Sequence, residues 1–140
     1  MKTLTETAAL SGTDRQFLSE IKASVRRHLP TATVLLYGSV ARGTQGRDSD
    51  YDILVLLDDD LTYEMEDQVR GAVYAVELAH GAVVSMVFCS RARWDIPVVR
   101  VSPFRQEVDR DAIEISENQS NFGAEKAFCE SRWRIRTHGT

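Results

Sequence analysis

Apolar residues recur along the chain at two different spacings. From residue 13 to about residue 28, Phe17, Leu18, Ile21 and Val25, with Leu29 just beyond, fall on one side of a helix. Thr13 is the candidate N-cap, Arg26, Arg27 and His28 place positive charge at the C-terminal end, and Pro30 ends the run. Two continuous apolar stretches follow, Thr31 to Tyr37 and Tyr51 to Leu57, and both read as strands. In the second, the set Tyr51, Ile53, Val55 and Leu57 and the opposite set Leu54 and Leu56 are all apolar, which predicts an interior strand covered on both faces. A second long helix is predicted over residues 62–79, with Met65, Val69, Ala72, Val73, Val76 and Ala79 as its buried stripe and His80-Gly81 as its stop. Ala82 to Cys89 reads as a third strand, after which Ser90 caps a short helix. Ser102-Pro103 opens another, from Phe104 to about Val108, and Ala112 to Ile115 reads as a fourth strand at an edge of the sheet.

The ends of the chain are less patterned. Residues 1–12 read as a loose lead-in. From Glu117 the composition turns polar, and 117–140 is expected to be a linker and a tail, with a helix over 123–134 that docks on the body, joins an oligomer or stays mobile. Residues 13–116 then form one α/β (α+β) domain, a mixed central sheet of about four strands flanked by helices.

Composition narrows the setting. The hydrophobic fraction of 43% and charged fraction of 27% are those of an ordinary globular chain. No apolar run is long enough to span a bilayer, and Met1 to Glu6 lack the apolar core of a signal peptide, so a cytoplasmic location is expected. Cys89 and Cys129 form no metal-spaced or redox motif. A net charge of −4 argues against wrapping nucleic acid by bulk electrostatics, without excluding a local basic groove.

Chemistry gathers between the first two strands. Asp50 and Asp52 stand at the entrance of the second, and residues two apart on a strand share a face, about 7 Å apart. Two such carboxylates repel unless a proton or a cation offsets them, and hard cations such as Mg²⁺ take oxygen ligands. Gly38-Ser39 ends the first strand, and a glycine corner opening a helix offers backbone N–H groups to a phosphate. Asp58-Asp59-Asp60 begins six residues after Asp52, about 20 Å along an extended strand, and reads as a solvated turn at the opposite end.

The stretch resembles the signature of DNA polymerase beta-like nucleotidyltransferases: Gly38-Ser39, then residues 40–49, then Asp50-Tyr51-Asp52. Ala41-Arg42-Gly43 and Ser49 resemble the minimal nucleotidyltransferase branch in particular. The resemblance implies Mg²⁺ held by Asp50 and Asp52, a nucleoside triphosphate (ATP by default) held at Gly38, Ser39 and Ser49, and attack by an acceptor hydroxyl on the α-phosphate. Arg42 or Arg47 would neutralise phosphate charge, or Arg42 would brace the loop. The acceptor implied is a partner protein, since members of that branch serve as antitoxins that adenylylate a helical-bundle toxin.

One expected group is missing. The family places a third carboxylate on the strand beside the Asp-x-Asp strand, and the corresponding run, Ala82 to Cys89, holds only Ser85. Either one well-held metal suffices, or another acid compensates, Asp48 being the nearest, or catalysis is lost and an antitoxin-like or regulatory binding module remains.

Overall fold

A computed structural model describes residues 2–3, 10–43 and 50–115. Expectations for Arg47, Asp48, Ser49, Cys129 and the tail 117–140 lie outside the described residues. The elements run β1 (Lys2–Thr3), α1 (Gly12–His28), β2 (Thr33–Tyr37), α2 (Gly38–Arg42), β3 (Tyr51–Leu57), α3 (Tyr63–His80), β4 (Val84–Ser90), α4 (Arg91–Trp94), α5 (Pro97–Arg100), α6 (Pro103–Asp111) and β5 (Ile113–Glu114). The five strands form one mixed sheet in the order β1-β5-β2-β3-β4.

Local chemistry explains the helix boundaries. Ser11, one turn's edge earlier than the expected Thr13, caps α1: its hydroxyl accepts from the Asp14 N–H at 3.0 Å, and Asp14 accepts from the Ser11 N–H at 3.3 Å. Ser followed three residues later by an acid satisfies two free donors at once, while Gln16, three residues after Thr13, donates to Glu20 instead. Thr62 caps α3 through the Met65 N–H, and Gly81 ends it in the left-handed region at φ 65°. Ser102 with Pro103 starts α6 as expected, but the helix runs on to Asp111.

The strands β2 and β3 pair antiparallel, with Leu35 opposite Leu54 and Tyr37 opposite Asp52. β3 and β4 pair parallel, with Asp52 beside Ser85. One face of the sheet, carrying Val34, Leu36, Ile53, Val55 and Leu57, is buried against Phe17, Leu18, Ile21 and Val25 of α1 and Val69 and Val73 of α3. The other, carrying Leu35, Tyr37, Leu54 and Leu56, is buried against Trp94, Val108 and Ala112 from the α4–α6 region. β3 is therefore covered on both faces, as its two apolar sets require.

Three expectations are corrected. The lead-in contributes a strand, β1, parallel to β5. β5 is consequently interior, between β1 and β2, rather than an edge. The buried stripe of α3 is narrower than its sequence suggests: Val69 and Val73 are buried while Met65 and Ala79 are exposed, because α3 packs mainly against α1 over one corner of the sheet.

Candidate functional site

At the end of the sheet where β2 finishes and β3 begins, the chain turns through Gly38 with φ 79°. That conformation costs a side-chain-bearing residue about 1–2 kcal/mol. Space forbids a side chain as well: a Cβ there would lie 2.2 Å from Asp52 Oδ2. The glycine corner and the Asp52 carboxylate are thus in direct contact, fixed by the pairing of Tyr37 with Asp52. Tyr37, the N-cap of α2, makes no side-chain cap hydrogen bond. Ser39 is half-buried on α2, and Gly43 ends that helix in the left-handed region.

Asp50 is exposed just ahead of β3, and the Tyr51 N–H donates to Val83 O at 3.0 Å, tying that entry to the β4 side. Tyr51 points to the opposite face, where its hydroxyl donates to Asp14 at 2.5 Å. Burial, with that hydrogen bond to a carboxylate, pushes the Tyr51 phenol well up. Asp52 is half-buried. Burial, then the charges of Asp50 and Glu107, push its carboxyl above the usual range, and Arg42 only partly offsets them. Burial and the charges of Asp52 and Glu107 likewise push the Tyr37 phenol up. Among the described residues, Arg42 offsets the acidic charge around Asp52 only in part.

Such a place suits a hard cation. Mg²⁺ is commonly held by one or two carboxylates with water and phosphate oxygens completing the shell. Asp50 and Asp52 fit that donor set. Among the described residues no three His, Cys, Asp or Glu side chains stand together closely enough to hold an ion. Ser85, exposed and directly beside Asp52 in the β3–β4 register, occupies the strand position where a third acid was sought.

Arg42 is engaged by α6: its Nη1 lies 3.2 Å from Asp111 Oδ2 and 3.5 Å from Glu107 Oε2. Sequence reasoning missed these two acids and Tyr37. A signal existed, since Phe104, Glu107 and Val108 are spaced to share one face of α6, and Phe104 and Val108 both pack toward the sheet. Asp58 and Asp60 lie far from this corner and pair with Arg91 (2.6 Å) and Arg93 (3.3 Å). A cavity of about 290 Å³ at that opposite end, lined by His28, Leu57, Asp58, Leu61 and Met65 among others, holds none of the candidate residues.

A family model described as "Nucleotidyltransferase domain" matches residues 18–120, well over half of the chain. Comparison with curated proteins finds no match. Among solved structures, a toxin–antitoxin complex with AMP-PNP is similar at 22% identity and a TM-score of 0.51, over 86% of this chain and 87% of the matched one. A mutant MntA–HpeT toxin–antitoxin complex is similar at 20% identity and a TM-score of 0.50, over the same shares. At these identities the likeness is one of fold, and it agrees with the family match. Sequence motif, sheet topology and family model together assign the chain to the nucleotidyltransferase domain family, of DNA polymerase beta-like type.

Proposed function

We propose that this chain transfers a nucleoside monophosphate, AMP from ATP by default, to a hydroxyl on a partner protein. The observation that carries the reading is the contact of Gly38 with the Asp52 carboxylate, which brings a candidate phosphate corner against a candidate cation site. In this reading Asp50 and Asp52 hold Mg²⁺, and Gly38 and Ser39 bind the β- and γ-phosphates through backbone N–H groups and the Ser39 hydroxyl. Ser49 and Arg42 border the nucleotide. The bound cation supplies charge neutralisation between the carboxylates and the phosphate oxygens. The acceptor oxygen forms a bond to the α-phosphorus, the bond to the bridging oxygen of the β-phosphate breaks, pyrophosphate leaves and the hydroxyl proton passes to water. The toxin–antitoxin setting of a fold neighbour that contains AMP-PNP supports a toxin as the acceptor protein and that analogue as the probe.

A second reading, a binding module without catalysis, is favoured by the neutral Ser85 beside Asp52. Two measurements separate them. Mg²⁺-dependent binding of AMP-PNP is expected for the wild type and at least about tenfold weaker for Asp52→Asn, which removes one charged ligand. Equal affinities, or no binding by either protein, would refute the nucleotide site. Native capture of a partner followed by mass measurement should then reveal an added AMP. A partner that binds stably yet never gains that mass would leave the binding-module reading standing.

A further inference from the structure

If Asp50 and Asp52 hold a cation, as proposed above, something must keep the two carboxylates on one face of the chain. Asp52 is fixed by the sheet on both sides, opposite Tyr37 on β2 and beside Ser85 on β4. Asp50 is exposed, precedes the first residue of β3, and lies outside every strand pairing among the described residues. Between the two acids stands Tyr51. We infer that Tyr51, pinned to α1 through Asp14, is a positioning residue that sets Asp50 against Asp52.

Three contacts lock Tyr51. Its N–H donates to Val83 O at 3.0 Å, its ring lies against Phe17 with centroids 4.7 Å apart, and its hydroxyl donates to Asp14 Oδ1 at 2.5 Å. Phe17 is fully buried in the core that joins α1 to the sheet, so the Tyr51 ring has a rigid backstop. Asp14 Oδ2 accepts from the Ser11 N–H at 3.3 Å, so a single carboxylate both closes the α1 cap and holds the phenol. A hydroxyl-to-carboxylate bond is of the short, strong kind. Side chains alternate along an extended chain, so holding the Tyr51 side chain on the α1 face turns both of its neighbours toward the other. Without the pin the chain at residues 50 and 51 is free to rotate, and Asp50 leaves the pair while Asp52 stays in the sheet.

The test uses the full chain, AMP-PNP and Mn²⁺ as a spectroscopically visible stand-in for Mg²⁺, reading metal affinity rather than turnover. Tyr51→Phe keeps the ring and deletes the pin, and should weaken Mn²⁺ binding about tenfold, the scale on which the support of a ligand acts. Ser11→Ala removes the hydroxyl that caps the Asp14 N–H but leaves the Asp14 carboxylate both of its donors. It should lower the urea midpoint yet keep affinity within about twofold of wild type. Coupling between sites is the readout that a merely structural role would not move. Asp50→Asn should cost about tenfold alone but no more than about twofold beside Tyr51→Phe, because Asp50 is then already out of place. Asp52→Asn should cost the same in both backgrounds. If Asp50→Asn is equally costly in both, or if Ser11→Ala is as damaging as Tyr51→Phe, Tyr51 only supports the fold and the inference fails. Loss of affinity in Asp50→Asn and Asp52→Asn but not in Tyr51→Phe sinks the pin alone, whereas no loss in either aspartate variant sinks the cation site with it.

Discussion

Gly38 is the residue on which the corner turns. Two constraints coincide there, a positive φ and a Cβ position already filled by the Asp52 carboxylate. Gly38→Ala should cost about 1–2 kcal/mol from the backbone conformation alone. The carboxylate can swing aside from the new methyl, so the further effect falls on the site rather than on the fold. Urea denaturation and AMP-PNP binding read the two separately, and affinity is expected to drop well beyond what partial unfolding explains. A variant that loses stability but keeps affinity would detach Gly38 from the nucleotide site. Arg42 belongs to the same scale. The sequence left it open between phosphate and brace, and its pairing with Glu107 and Asp111 gives the brace a physical basis.

Among the elements, α6 joins the corner to the rest of the molecule. Phe104 stacks edge-on against both Tyr37 (5.3 Å) and Trp94 (5.9 Å), and Arg105 lies over the Trp94 ring at 4.6 Å while donating to Trp94 O at 2.6 Å. Phe104→Ala removes a half-buried ring and two aromatic contacts, and should lower stability by about 2 kcal/mol. Because the same ring fixes α6 over Tyr37, AMP-PNP affinity should fall with it, by more than in Val98→Ala on the exposed part of α5. Chemical denaturation and ligand titration of the pair check this. How much of this could be read in advance follows from the length of each element. β2, β3, α1 and α3 carry enough apolar residues to declare their period, and β3 begins and ends where its apolar run does. β1 and β5 have two residues each, too few to show any alternation, so the interior place of β5 was not legible. The motif brought Gly38, Asp50 and Asp52 to notice because these candidate residues flank one connection between β2 and β3. Tyr37 stands beside Asp52 through the β2–β3 pairing, whereas Glu107 reaches Arg42 only through the docking of α6, which no local pattern encodes.

At the scale of the whole molecule, the acidic corner sets stability against binding. Asp52 holds its proton more tightly in the folded chain than a free carboxyl does, because of burial and the charges of Asp50 and Glu107. Across the window between the ordinary carboxylate value and that raised one, the native state binds more protons than the unfolded state. Stability therefore falls as pH rises through the window and stays lower above it. Removing the charge should relieve this: apo Asp52→Asn is expected to unfold at a urea midpoint equal to or above that of wild type at pH 7, with the advantage vanishing toward pH 4. The cation–nucleotide pair should offset the same repulsion in the wild type. Saturating Mg²⁺ and AMP-PNP at about 100 times the dissociation constant would add about 2.7 kcal/mol. In a domain of this size that is a rise of several degrees in Tm. Asp52→Asn should start higher and rise little. Crossing of the two stabilities on adding ligand is the signature of a site that sacrifices stability for charge, and parallel curves would mean that Asp52 and the ligand act independently.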